Sequence, residues 1–203
     1  MPLIYDDPTH SYAWRGRGKS LRLIPSVTTI LKDAGVSDMS FVTPEGLERG
    51  TRVHATIAYK IYKKQKAGHD GWVAGTHQPF ANSALKFLAD VNAKVEAVES
   101  MIFNRELWYA GRVDLVCEFN GRRWLIDWKL NEGWRSPHVG PQLAAYKHAW
   151  NAAHKPSRHI DRVACVQLTE TNYTFRAVDP SDEIANWHTF LRAREKVRNE
   201  RDS

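Results

Sequence analysis

The sequence predicts a mixed α/β (α+β) chain: a three-stranded antiparallel meander, extended by a crossover helix and a further strand, and flanked by helices. Three observations predict it. Residues 111–129, GRVDLVCEFNGRRWLIDWK, read as two strands joined by Asn120-Gly121, a dipeptide suited to a type I′ turn because both central residues need positive φ. Val95 to Asn104 is a strand-like stretch just before them. After Lys129 come a short loop, the helical segment PQLAAYKHAWNAAH and a strand-like run from Arg162 to Leu168, the order by which a crossover brings a parallel strand to a sheet.

Residues 3–24 alternate apolar and polar around the turn RGRGKS and read as a hairpin. Ser26 is placed to cap a short helix ending near Gly35; with Thr28 it offers hydroxyls at a helix N-terminus, either a phosphate site or simply a cap. Thr43-Pro44-Glu45 opens a second helix, to about Gln65, whose Val53, Ile57 and Ile61 share a stripe bordered by His54. Lys60, Lys63, Lys64 and Lys66 make its end basic. Pro79 to about Lys94 has helical spacing, with Phe80, Leu85 and Leu88 inward. On the strand that follows, a two-residue turn would put Glu99 on the same face as Arg112 and Asp114; a three-residue loop would reverse that. In the loop after Lys129, Trp134 and Arg135 could stack on bases and grip phosphates, or cover the sheet edge. Gln142 and Tyr146 share a face of the next helix. Two strands, Arg162–Leu168 and Tyr173–Val178, precede a final helix capped by Ser181 and reaching about Asn199. Ile184, Trp187 and Leu191 are expected inward, and Arg192, Arg194, Lys196 and Arg198 make its end basic.

The Asn-Gly turn fixes a register. Phe119 faces Arg122, Glu118 faces Arg123, Val116 faces Leu125, Asp114 faces Asp127 and Arg112 faces Lys129, all on one face. The reverse face pairs Cys117 with Trp124, Leu115 with Ile126 and Val113 with Trp128, and is apolar. One face is therefore expected to be core and the other to carry two opposed aspartates. Like charges about 4.5–5.5 Å apart at Cβ destabilise a sheet. A hard divalent cation between them removes that cost, and Lys129 on the same face could stabilise charge on a phosphate or steer a water. The competing reading is a solvated face with unrelated charges.

The 203 residues can bury a full core and are read as one domain: an N-terminal hairpin and helices over 1–94, a core over 95–178 and a C-terminal helix over 180–200. A net charge of +6 favours a polyanionic partner. No apolar run approaches the ~20 residues of a membrane span, and MPLIYDDPTH is acidic where a targeting peptide would be basic, so a cytosolic protein is expected. Cys117 and Cys165 lie in apolar runs, as buried reduced thiols do.

These residues together resemble the PD-(D/E)XK nuclease superfamily, and within it the RecB-like and phage-type exonuclease branch. The resemblance is carried by G-x-x-D at Gly111–Asp114, D-W-K at Asp127–Lys129, Q-x-x-x-Y at Gln142–Tyr146 and R-G-T-R-V-H at Arg49–His54, with His10, Tyr12 and Pro25–Thr28 similar to small phage members. It implies a restriction-endonuclease-like core and hydrolysis of DNA phosphodiesters with Mg²⁺ or Mn²⁺. It implies that Asp114, Asp127 and the backbone carbonyl of Trp128 bind the metal, with His54 and Glu99 beside them. Lys129 would act on the hydrolytic water. Gln142 and Tyr146 would contact DNA or brace the site, and Arg112, Ser26, Thr28, Trp134 and Arg135 are the further DNA-contact candidates. The position before Asp114 is Val113 rather than proline, and without the four cysteines of some relatives no iron–sulfur cluster is expected. The branch implies an exonuclease on linear ends in phage or bacterial recombination and repair, with a single-strand annealing or other recombination protein as a partner. An endonuclease of the same fold, a non-catalytic DNA-binding module and an interaction subunit are the alternatives.

Overall fold

The computed structural model describes residues 3–6, 11–15, 21–37, 43–62 and 77–202. Strands β1 (Leu3–Asp6), β2 (Ser11–Arg15) and β3 (Leu21–Ile24) form a small antiparallel sheet in sequence order. The expected N-terminal hairpin is thus a three-stranded meander, because the stretch holds two reversals rather than one. Helices α1 (Val27–Asp33), α2 (Pro44–Tyr62) and α3 (Gln78–Asp90) follow. The main sheet contains β4 (Lys94–Asn104), β5 (Tyr109–Phe119), β6 (Arg122–Leu130), β7 (Arg162–Leu168) and β8 (Tyr173–Ala177), again in sequence order. Helix α4 (Val139–Ala153) links β6 to β7, which run parallel; the other neighbours are antiparallel. Helix α5 (Pro180–Asp202) follows β8.

The Asn-Gly turn forms as its chemistry requires, with φ of 50° at Asn120 and 68° at Gly121. The expected register holds from Phe119↔Arg122 to Leu115↔Ile126. Both faces of the sheet are covered, however, which corrects the expectation of one polar face. Val116 and Leu125 pack with Leu143, Tyr146, Ala149 and Phe190 of α4 and α5, whereas Leu115, Ile126 and Trp128 pack with Val53, Ile57 and Phe87 of α2 and α3. Central strands flanked by helices on both sides need apolar residues at nearly every position, and Val116 and Leu125 supply them on the aspartate face.

Strict alternation also fails in β4 and β5. The β4–β5 register shifts between Val95 and Ala97, and Glu99 has φ of 47°, a left-handed conformation costly for a residue with a Cβ. Ala97 and Ile102, five residues apart, consequently pack in one cluster. Across from Glu99, Val113 joins Val116 rather than Leu115. A polar seam opens between the two cores at this break.

Four smaller expectations change. Helix α3 stops at Asp90, before Lys94; it buries Phe80, Ala84 and Phe87, Leu88 packs half-buried against the same core, and Leu85 is half-buried outside it. Helix α4 starts at Val139, ahead of Pro141. Ser181 does not cap α5; its N–H and hydroxyl both donate to Asp179 Oδ1, so the aspartate is the cap. Of the residues expected inward on α5, Trp187 packs half-buried on the first core; the fully buried stripe is Phe190, Ala193 and Val197, and Ile184 is 63% exposed. Cys117 and Cys165 are buried free thiols. His10, the turn after Arg15, Lys63, Lys64, Lys66 and the helix end expected near Gln65 lie outside the described residues.

Candidate active site

The seam collects six ionisable side chains from four elements. Asp114 comes from β5, Asp127 and Lys129 from β6, Glu99 from β4, Arg112 from β5 and His54 from α2. Val53 and Ile57 fix the helix that carries His54 by inserting beside it into the second core. His54 Nδ1 lies 3.3 Å from Asp114 Oδ1 and 3.6 Å from Glu99 Oε1. Glu99 Oε2 is 3.0 Å from Arg112 Nε. The link from β4 to β5 has four residues, 105–108, an even number, which keeps Glu99 on the side of Asp114.

The paired strands part just where the two aspartates were expected to face each other. Beyond Leu115↔Ile126 the Trp128 N–H donates not to a backbone carbonyl but to Asp114 Oδ2, at 2.9 Å. Trp128 therefore touches the cluster through its N–H. Asp127 is held instead by Lys129, whose Nζ donates to Oδ1 at 3.2 Å and lies 2.9 Å from Oδ2. Oδ2 itself is buried and accepts no hydrogen bond. One carboxylate is thus tied to the imidazole and the other to the ammonium.

Electrostatics separate the two aspartates further. Burial disfavours the charged form of both. At Asp114 the attraction of His54, with Lys129 and the Trp128 N–H, outweighs burial and holds the carboxyl below its usual range. At Asp127 burial, aided by Asp114, outweighs Lys129 and lifts it. Burial lowers the pKa of His54, but Asp114 and Glu99 overcome it and push the imidazole well above its ordinary value. Lys129 is likewise raised against burial by Asp127 and Asp114. With His54 protonated, the three carboxylates Glu99, Asp114 and Asp127 face three cations, His54, Arg112 and Lys129.

Ligand atoms of His54, Glu99 and Asp114 all lie within 4.8 Å of one another. Hard cations bind oxygen ligands at about 2.0–2.6 Å, so opposed ligands sit about 4–5 Å apart, and the trio has the width of one ion. Two carboxylates and an imidazole suit Mn²⁺ or Mg²⁺ chemically. The residues present fit a divalent cation, for which the His54 proton would have to leave.

The other expected site residues divide. Gln142 and Tyr146 of α4 reach the seam but are buried, 7% and 5% exposed, and Gln142 Nε2 donates to the Tyr146 hydroxyl at 3.0 Å. Burial raises the Tyr146 phenol, and Asp114 and Asp127 add to it, as expected for a ring beside the acids. Ser26 is consumed locally: its hydroxyl caps α1 at Thr29 N, 2.9 Å away, and contacts the Thr28 and Thr29 hydroxyls. Trp134 packs on the first core with the Arg176 guanidinium 3.6 Å over its ring and Arg135 at 5.1 Å, covering the sheet rather than offering a free face. A cavity of about 390 Å³ lies along the first half of α2, lined by Thr43, Glu45, Glu48, Arg49, Arg52 and His77, and none of the clustered acids lines it.

Three residues near the site escaped sequence reasoning. A Cβ on Gly111 would meet Tyr146 Cε1 at 2.5 Å, so the glycine is what admits the ring. Tyr12, buried in the small sheet, has its phenol raised by burial, with Tyr146, Tyr5 and Glu99 adding to the shift. His138 accepts or donates at Nδ1 to Ser136 Oγ, 2.7 Å, and Ser37 Oγ, 3.1 Å, and burial with Lys129 lowers it to about 4. Gly111 and Tyr12 each carried a motif signal, in G-x-x-D and beside His10, but their contacts to residues distant in sequence carried none, and His138 had no signal at all.

Comparison with known proteins finds that the profile of the PD-(D/E)XK nuclease superfamily matches residues 37–202. Among curated proteins, mouse mitochondrial genome maintenance exonuclease 1 is 28% identical over 151 residues, 63% of this chain and 44% of the relative. This chain thus spans less than half the length of that protein. A solved structure of an exonuclease candidate from Eubacterium rectale superposes with a TM-score of 0.49 at 12% identity, over 83% of this chain and 73% of the other.

Proposed function

This chain belongs to the PD-(D/E)XK nuclease superfamily, and from that premise we propose that it is a Mg²⁺- or Mn²⁺-dependent deoxyribonuclease acting as one domain on the ends of linear DNA. The observation that carries the reading is the split cluster: His54, Glu99 and Asp114 within one ion's width, beside Asp127 paired to Lys129. A divalent cation held there would polarise the phosphate and lower the pKa of a bound water.

The chain's own residues do the remaining work. Asp114 is kept ionised by His54, Lys129 and the Trp128 N–H, so a ligand carboxylate is in place at neutral pH. Lys129, cationic and anchored at Asp127, sets a fixed positive charge against the negative charge that grows on the attacked phosphate. Arg112 holds Glu99 toward the cluster. Gln142 and Tyr146 close the seam from α4 and limit water around the acids.

The end-directed mode is supported by the Q-x-x-x-Y and R-G-T-R-V-H resemblance and by the name of the mouse relative. The motif resemblance supports a role in phage or bacterial recombination and repair with a recombination protein as partner, and the sequence reading supports a cytosolic setting. Among the described residues no helix is long and apolar enough to cross a membrane.

The test is incubation with linear and covalently closed DNA in Mg²⁺, in Mn²⁺ and in chelator. Linear DNA should be lost only with metal, and Asp114→Ala, Asp127→Ala and Lys129→Ala should each abolish the loss. Activity of Lys129→Ala in chelator would overturn the assignment; closed circles cut as fast as linear DNA would overturn the end-directed mode.

A further inference from the structure

Five side chains from the small sheet, the end of β4 and the β4–β5 turn form one continuous stack outside the acidic seam. The Arg22 guanidinium lies 4.5 Å from the Trp108 ring centre. Trp108 meets Phe103 edge-on at 5.4 Å, and Phe103 lies 5.3 Å from Trp14. The Arg105 guanidinium then lies 4.8 Å from Trp14. Three rings are thus bracketed by two cations. The rings are half-buried, and both arginines are exposed.

The stack is built, not incidental. Trp108 has φ of 53°, a conformation that bulky side chains rarely adopt, and its indole N–H is pinned to the Leu23 carbonyl at 3.1 Å. Arg22 sits across from Trp14 in the β2–β3 register, which places one bracket beside the far ring. Among the described residues neither guanidinium pairs with a carboxylate; Glu106, next to Arg105 in the turn, makes no ion pair with either. The inner faces of Trp14, Phe103 and Trp108 pack against the small core of Tyr12, Ile24 and Ala110, while the two guanidinium charges stay unneutralised on the outside.

We propose that this stack is a platform for the single-stranded part of a nucleic-acid substrate, a reading that rests on the nuclease assignment above. The chemistry follows from the open ends. A guanidinium flat on an indole keeps its edge N–H groups free for phosphate and its outer face free for an unpaired base. Bases in a duplex are already stacked and present only backbone, so the outer faces favour a single strand. The surface is continuous with the acidic seam: Tyr5 packs in the same small cluster as Trp14 and Phe103, Arg112 stacks on Tyr5 at 5.0 Å, and Arg112 Nε contacts Glu99 at 3.0 Å. A strand gripped at the platform is thereby led toward the acids.

The experiment measures binding of a fluorescent oligothymidylate, and of a blunt duplex of equal length, by anisotropy in chelator across a salt series. Arg22→Ala with Arg105→Ala should weaken single-strand binding about tenfold and reduce the log–log salt slope by about 1.4, the value for two phosphate contacts on a single strand. Duplex binding should change much less. The Arg22→Lys, Arg105→Lys pair keeps the charge but not the flat face; it should keep the slope and lose the preference for the single strand. An unchanged slope in the alanine pair, equal losses on both substrates, or a lysine pair with undiminished preference would each overturn the platform. Because no metal is present, binding is read apart from cleavage: a chain that grips the strand but never cuts refutes the nuclease reading alone.

Discussion

Replacing Gly111 by alanine adds a methyl group where the structure has no space for one. The new Cβ would lie 2.5 Å from Tyr146 Cε1, 3.2 Å from Cδ1 and 3.3 Å from Cζ. Carbon atoms in contact prefer about 3.5–4.0 Å, so the ring must move by roughly 1 Å. It has little freedom, being 5% exposed and hydrogen-bonded through Gln142. Overpacking of this kind costs about 1–3 kcal/mol. For a chain of this length that lowers the melting temperature by roughly 2–12 °C. Urea denaturation of Gly111→Ala, Tyr146→Ala and the double variant measures the coupling. With the ring removed the methyl group has room, so the double variant should be about 1–3 kcal/mol less destabilised than the two single effects summed. Additive effects, or a Gly111→Ala protein as stable as wild type, would refute the steric role of the glycine.

Phe87 is fully buried among Phe119, Trp128, Tyr173 and Phe175; Phe87→Ala should cost about 3–5 kcal/mol in urea denaturation, and a loss below about 1 kcal/mol would contradict the packing. The pH dependence of the metal-free protein has a definite sign. His54 is raised in the folded state, so its stabilisation is complete below the ordinary 6.5 and is lost as pH rises through the raised value. Asp114 is lowered, so its stabilisation is present above 3.8 and lost as pH falls through its folded value. Asp127, being raised, loses stabilisation as pH climbs from 3.8 through its own folded value. Chemical denaturation should show stability declining from neutral pH upward, with the decline reduced in His54→Ala. Calorimetry should show Mn²⁺ binding tightening over the same range with proton release; affinity independent of pH would place the metal away from His54.

Much of the main sheet was legible because local chemistry set it. Asn120-Gly121 admits few conformations, so the β5–β6 register could be counted outward from the turn as far as Leu115 and Ile126. The count failed at Asp114 because its cause is remote: Glu99, an ordinary residue by type, adopts a positive φ that only tertiary packing imposes. The burial of both faces was missed for a related reason. Val116 and Leu125 are apolar, but nothing local says that α4 lies over them. The α5 stripe was misplaced because Trp187 can join either of two overlapping apolar series, and the docking of α5 on α4 decided for Phe190, Ala193 and Val197. The candidate site was legible as a set of residue types and spacings. Its division into an imidazole-bound and an ammonium-bound carboxylate was not, since that depends on atoms rather than on order along the chain.

The sheet order also gives the site two unequal stiffnesses. Asp127 and Lys129 ride on β6, third of five strands, and are held at those positions by the parallel pairing to Cys165 and Gln167 of β7 inside the sheet, where opening requires much of the sheet to come apart. Glu99 rides on β4, the last strand on one edge of that sheet, and His54, on α2, reaches it through its imidazole at 3.6 Å. Slow amide exchange should therefore surround the ammonium and its partner, while faster exchange surrounds the imidazole and Glu99. Ligand exchange and substrate entry can then proceed by give on the β4 and α2 side, leaving the fixed charge at Lys129 in register with whatever is bound.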